Sequence, residues 1–343
     1  PYIHTSPLSN WGKMEFYNHG SQHYWGVWHG KDPIEDFGKK IGRFNAEYGF
    51  QSFPEFNTIN TFSTSEDWDL KSDVMKHHQK SYVGNNMILK HAKNLYGEPA
   101  NFEEFVYFSQ LTQSKAVSMA IAGHRVDFPR CGGTLVWQLN DCWQVSSWSS
   151  VDYFGNWKAL QYEMKKDYAD VSVVAKYNSL DDIDFYLVSD MVDTFMCEVE
   201  CEIVDLFGKN QATIELSQQV NGQGSQKLCM KTVKEDLQNM NAHLIFRWKD
   251  HLGNQHSRTY DNIKIGREKA PESSVFLSYS SKGDGKGTVT IETKRFLQDF
   301  WLSSDKFGVK FNRNFQSLLP GTHTFEITFE EEPEASDFKM MWL

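Results

Sequence analysis

The chain has 343 residues, a formal charge of −10 and 40% hydrophobic residues. This supports folded cores and two or three domains, and it excludes a disordered chain. The acidic balance, with no basic cluster, argues against nucleic acid as a partner, and no apolar run approaches the ~20 residues of a membrane-spanning helix. Residues 1–7 open midway into a strand-like run with no basic and apolar leader after Pro1, so no signal peptide is expected in this stretch.

In chain order, residues 1–7 read as the end of a strand running into a loop. Residues 21–30 follow, with aromatics, His23, His29 and a glycine exit. A plain hydrophobic strand does not need these two imidazoles, so they are either satisfied core histidines or groups on a functional loop. Residues 33–41 read as a short helix.

A third strand follows at Arg43-Phe44-Asn45-Ala46, with Glu47 at its mouth. Gly49, Ser52 and Pro54 then break the run. A carboxylate there is costly to bury without a partner or a task. Glu47 is thus either a core-edge residue paired with Arg43 or a functional group.

Residues 67–123 carry apolar residues at three-and-four spacing, interrupted at Gly97-Glu98-Pro99. Asn101 is placed to cap a long helix over 102–122 that ends at Gly123, with Phe105, Phe108, Leu111 and Val117 on its core face. Residues 131–141 read as a strand buried on both faces, ending in polar Gln138, Asn140 and Asp141. A loop rich in Trp and Ser and a closing helix over 158–166 complete the segment.

Strand–helix alternation with polar and aromatic residues at strand ends is the pattern of a (β/α) barrel or another parallel α/β sheet. The strands lie around Tyr2, His23, Phe44 and Leu135. That is four where a closed barrel has eight, so half a barrel is expected, with the front half outside this chain.

Beyond Asp167 short strands are expected around Val173, Phe185, Val199, Ile214, Leu228, Ile245 and Ile263. Turn signals separate them, at Asp181-Asp182, 207–210, Asn221-Gly222 and 251–254: a β-sandwich pattern. A linker at 269–273 leads to a smaller β unit with strands near Phe276, Val289, Val309, Phe325 and Met340. The domains read as 1–168, 169–268 and 269–343. Nothing in either β unit converges on chemistry.

Eight of the eleven tryptophans precede residue 160. Clustered with polar residues, they point to stacking on the apolar faces of sugars. Five cysteines make no disulfide framework. Cys197 and Cys201 share a strand face but are too far apart to bridge along an extended strand. With no CxxC, HExxH or P-loop, no metal or cofactor is expected.

The runs HYWGVWHG from His23, RFNAEYGFQSFPEF from Arg43, SDVMKHHQK from Ser72 and GGTLVWQLNDCWQVSSWSSVDYFGNWKALQY from Gly132 resemble the β-mannosidases of glycoside hydrolase family 2. In order, they cover nearly all of residues 1–165. The resemblance implies an exo-glycosidase that removes terminal β-linked mannose with retention. Its catalytic (β/α)8 barrel would be followed by immunoglobulin-like β-sandwich domains. Residues 1–7 would supply strand five, the strand of His23-Tyr24 strand six, the strand ending at Glu47 strand seven and residues 135–140 strand eight.

Glu47 matches the family's nucleophile, at the end of strand seven. The acid/base glutamate, normally in an Asn-Glu pair, would lie upstream of this chain; Asn45-Ala46-Glu47 is not that pair. By analogy Tyr24 would orient Glu47 and Trp137 would floor the sugar. Trp25, Trp28 and His29 would line the pocket, with His23 or Asn140 on hydroxyls. Asp141 would serve there or fix the loop after strand eight.

The partners implied are a mannose-containing oligosaccharide and the missing N-terminal half. The chain alone is expected to lack useful hydrolase activity and to dimerise or aggregate through exposed half-barrel edges. A β-galactosidase or β-glucuronidase of the same family, or a non-catalytic carbohydrate-binding or structural fragment, are the alternatives; WQLND and HYWGVWHG favour the mannosidase. The compartment is left open, although bacterial relatives are often exported.

Overall fold

A computed structural model describes residues 2–180, 182–228, 242–261 and 271–343. The first unit holds three parallel strands, β1 (Ser9–Asn10), β2 (Ser21–Tyr24) and β3 (Phe44–Tyr48), in that order in the sheet. The expected strand around Tyr2 is displaced: residues 2–5 form no regular element, and pairing begins where Leu8 N donates to Ser21 O, just beyond Pro7, which has no N–H to give.

Residues 132–137 run alongside β3. Gly132 N donates to Arg43 O, Leu135 N to Asn45 O and Trp137 N to Tyr48 O at 2.8–3.0 Å. Only one bridge, Asn45↔Thr134, is regular. The segment is not the doubly covered strand expected. It pairs on the β3 side, and alternate side chains Leu135, Trp137 and Leu139 are exposed.

Among the described residues there are five helices, α1 (Phe56–Asn60), α2 (Asp73–His77), α3 (Gly84–Tyr96), α4 (Phe102–Val126) and α5 (Ala159–Asp167), of which α4 packs on β3. Residues 33–41 contain a 3-10 turn, Ile34–Gly38, rather than an α-helix. Asn101 caps α4 by accepting from Glu104 N at 2.8 Å, and the predicted core face is buried. The helix does not stop at Gly123. A Cβ there would meet Gly38 O at 2.7 Å, so this glycine permits close packing inside the helix and does not terminate it.

The β region contains β4 (Val171–Ser179), β5 (Asp182–Ser189), β6 (Thr194–Asp205), β7 (Asn210–Asn221), β8 (Gly224–Lys227), β9 (Ala242–Lys249) and β10 (Gln255–Asp261). They form two antiparallel sheets, β4-β5-β8 and β10-β9-β6-β7. Phe185 of the first sheet meets Phe246 and Tyr260 of the second at 4.8 and 5.1 Å, as in a sandwich. Cys197 and Cys201 on β6 are buried free thiols. The strand expected around Ile263 lies outside the described residues.

The last unit contains β11 (Val275–Gly283), β12 (Lys286–Thr293), β13 (Leu297–Ser304), β14 (Lys310–Phe311), β15 (Gln316–Leu318), β16 (Gly321–Thr328) and β17 (Phe338–Met341). Its sheets are β11-β12-β16-β14 and β15-β13-β17. It encloses its own core around Val289, Ile291, Phe300 and Phe325. The first unit and the sandwich share one continuous core, which Trp301 and Phe315 extend into the last unit.

Candidate active site

The register of β2 against β3 decides the site. His23 lies opposite Glu47, and Tyr24 opposite Tyr48. Side chains alternate along a strand, so His23 and Glu47 share one face while both tyrosines point to the other. Glu47 accordingly meets two nitrogens: His23 Nδ1 at 3.1 Å and the indole Nε1 of Trp25, which donates at 3.3 Å. His23 also meets Ser6 Oγ through Nε2 at 3.2 Å. The acidic group is therefore not the partner of Arg43, which is exposed.

Two predicted site residues sit elsewhere. Tyr24 is buried and donates to Asp32 at 2.8 Å, not to Glu47; burial and this bond hold its hydroxyl far above its ordinary pKa. Lys40 holds the same Asp32 oxygen at 2.8 Å. Trp28 is fully buried, donates to Ser81 Oγ at 3.0 Å and packs edge-on against Phe50 and Trp148. It is a core residue and not a pocket wall. Its place at the centre of a turn, behind Trp25, put it on the inner side.

Of the others, Trp25 and His29 pack together and Asn140 stands apart. Trp25 packs against His29 at 5.4 Å and Trp148 at 6.0 Å. His29 stacks on Tyr82 at 5.2 Å and 15°, and burial lowers its pKa. Trp137 is half-exposed, and its carbonyl lies 2.0 Å from where a Cβ on Gly49 would be, so only glycine lets the two segments meet two residues from Glu47. Asn140 is exposed and paired through its backbone with Val151; no described contact joins it to Glu47.

Behind the site lies a polar layer that the sequence did not reveal. Ser52, after β3, and Ser147, after Trp137, exchange backbone hydrogen bonds at 3.0 and 3.2 Å. Lys158 Nζ donates to both carbonyls, at 3.5 and 3.2 Å, and is completely buried. Burial lowers it to about 8, against the pull of Asp141, Asp152 and Glu55. Asp141 accepts from Ser147 Oγ and Ser149 Oγ, which makes it the fastener of this loop; burial raises its pKa. Gln113 of α4 donates to the carbonyls of Phe50 and Ser149. The one available signal was a lysine at a helix start inside a Trp- and Ser-rich run.

Among the described residues no group of His, Cys, Asp and Glu could hold a metal ion, and no helix is long and apolar enough to cross a membrane. What the site offers is a carboxylate between an imidazole nitrogen and an indole N–H at a strand end, beside exposed and half-buried aromatic rings. Such a group can act as a nucleophile or stabilise a cation.

No family model matches the chain. It is 33% identical over 174 residues to β-mannosidase B of Emericella nidulans, covering 48% of this chain and 21% of the relative. It is 34% identical over 165 residues to β-mannosidase B of Thermothelomyces thermophilus, covering 45% and 19%. The matched part thus spans about a fifth of the length of these relatives. In fold the chain is similar to the β-D-mannosidase of Dictyoglomus thermophilum, with TM-score 0.74 and 23% identity over 95% of this chain and 40% of that one. It is also similar to the exo-chitosanase of Amycolatopsis orientalis, with TM-score 0.66 and 15% identity over 91% and 45%. The chain is therefore a relative of glycoside hydrolases. It is similar in sequence to part of the β-mannosidases and similar in fold to one of them.

Proposed function

We propose that this chain is the C-terminal part of a retaining exo-β-mannosidase that removes terminal β-D-mannose from oligosaccharides, with Glu47 as nucleophile. The observation that carries this is Glu47 on the same face as His23, receiving the Trp25 indole N–H at the end of a parallel strand. The Glu47 carboxylate attacks the anomeric carbon as the bond to the leaving oxygen breaks. A second carboxyl protonates that oxygen and then activates the water that releases mannose. Retention needs the two carboxyls about 5–5.5 Å apart. The acid/base residue comes from a segment upstream of this chain. Trp25 and His23 replace Tyr24 as the groups that aim the nucleophile. Trp137 floors the sugar, Trp25 and His29 form a wall, and Asn140 meets a hydroxyl.

In this reading residues 1–168 are the second half of a (β/α)8 barrel. Strands β1, β2 and β3 are its fifth, sixth and seventh, and the segment along β3 is its eighth. Residues 169–268 and 269–343 are immunoglobulin-like and smaller sandwich domains. The chain alone lacks useful activity and associates through its sheet edges, with itself or with the missing half.

The test is the naturally produced protein treated with a 2-fluoro-β-mannosyl fluoride label. The expected result is a polypeptide larger than this chain with the label on Glu47, lost in Glu47→Gln. A labelled enzyme that prefers aryl β-galactosides or β-glucuronides would move the specificity to another member of the family. A protein of 39.8 kDa that folds, takes no label and cleaves nothing would leave carbohydrate binding without catalysis.

A further inference from the structure

The rings beside Glu47 do not stop at the pocket wall. From Trp25, whose N–H reaches Glu47, they step 5.4 Å to His29 and 5.2 Å to Tyr82, the last pair nearly parallel at 15°. Tyr82 is 83% exposed, so the offset imidazole leaves most of its ring open. A single exposed aromatic is ordinary. This one differs because its loop is fixed. The neighbouring Ser81 accepts from the buried Trp28 Nε1 at 3.0 Å, and Ser81 N donates to Gln79 Oε1 at 2.9 Å. Gln79 in turn donates to Asn85 and to Ser146. The core residue that does not line the pocket thus anchors the loop that carries Tyr82.

We propose that Tyr82 is a stacking platform for the sugar on the leaving-group side, so that the substrate is a mannose-terminated oligosaccharide whose penultimate sugar lies on this ring. The inference rests on the reading of Glu47 as the nucleophile. The stack leads in two ring-to-ring steps from the indole that reaches Glu47 to an exposed ring. An apolar pyranose face covers the phenol ring while its equatorial hydroxyls stay in water. The loop is already ordered, so stacking costs little conformational freedom. Energy gained there, away from the reacting centre, serves catalysis only when the leaving group is a sugar.

The experiment uses the enzyme as naturally produced, with its acid/base residue present, and compares Tyr82→Ala and Tyr82→Phe with the unmodified protein. The substrates are β-mannosyl fluoride, whose leaving group is a single atom, and β-1,4-mannotriose. Tyr82→Ala should lower kcat/KM for mannotriose about five- to tenfold, the scale of one aromatic contact, and leave the fluoride within about twofold. Tyr82→Phe, which keeps the ring, should match the unmodified enzyme on both. An equal loss on both substrates would make Tyr82 a prop for His29 and Trp25 and overturn the proposal. An undiminished rate on mannotriose would also overturn it while leaving the nucleophile assignment intact. An unmodified enzyme that cleaves neither substrate would sink the β-mannosidase reading, and the platform with it.

Discussion

Replacing Arg258 by methionine tests how the first unit is joined to the sandwich. Arg258 on β10 is buried and donates to Glu163 and Asp167 of α5 and to Ser118 of α4. The two carboxylates respond differently. Burial, together with the Glu163 charge, raises Asp167 to about 6 despite Arg258, whereas Arg258 and Lys166 overcome burial and hold Glu163 well below its usual range. Without the guanidinium, Glu163 keeps Lys166 at 3.0 Å, but Asp167 keeps only the Ser118 hydroxyl at 3.1 Å. Its other oxygen is buried without a partner already. Removing one side of a buried pair costs about 3–5 kcal/mol. The retained Lys166 argues for the lower end, about 3 kcal/mol at pH 7. Because a stranded carboxyl neutralises before it unfolds the protein, the loss should shrink at pH 5. Adding Asp167→Asn should recover part of it. Urea unfolding, with hydrogen exchange on β4 and β10 to localise the opening, measures this. A loss below about 1 kcal/mol, or a double variant less stable than Arg258→Met, would refute the claim that this pair ties the units together.

Trp25→Phe keeps the ring but removes the N–H donor to Glu47. A hydrogen bond to a charged group is worth about 1.5–3 kcal/mol, so the rate of covalent labelling in the complete enzyme should fall roughly ten- to hundredfold with the melting temperature little changed. Gly49→Ala places a Cβ 2.0 Å from the Trp137 carbonyl. The displaced segment should cost about 1–3 kcal/mol by thermal unfolding and abolish labelling. His91 and His124 are buried with pKa values lowered to about 4 and about 3. Below pH 6.5 the unfolded chain binds protons at these sites that the folded chain does not, so stability should fall as pH drops, by up to about 2 kcal/mol for each group at pH 5. His124→Gln should flatten part of that dependence in melting temperature against pH.

What the sequence made legible follows the strength of each local signal. The cap at Asn101, the buried face of α4 and the hairpin turns at 207–210 and 251–254 are short-range features, and they stand where expected. Strand β13, eight residues long, and the three-residue β15 were missed; they pair with each other across a register shift. Gly123 misled because a glycine at a helix end and one at a helix crossing look alike in one dimension. Tyr24 misled for a related reason. Which residue of HYWGVWHG faces Glu47 is a matter of register, and a slip of one position exchanges His23 for Tyr24.

The same register argument explains why the site depends on groups far from Glu47. A parallel strand end aims a side chain only as well as the loops beyond it are held, and here two loops must be fixed against each other. The Ser52–Ser147 pair joins the loop after Glu47 to the loop after Trp137, and each carbonyl has a second lone pair that the pair itself leaves unused. Lys158 donates to both carbonyls, together with Ser146 Oγ on Ser52 O and Gln113 on Ser147 O, and Asp141 restrains the Ser147 side through two hydroxyls. An apolar residue of similar length would fill the volume but remove one donor from each carbonyl and the cation that faces Asp141, Asp152 and Glu55. The buried charge of Lys158 therefore helps hold the loop after Glu47 against the loop after Trp137.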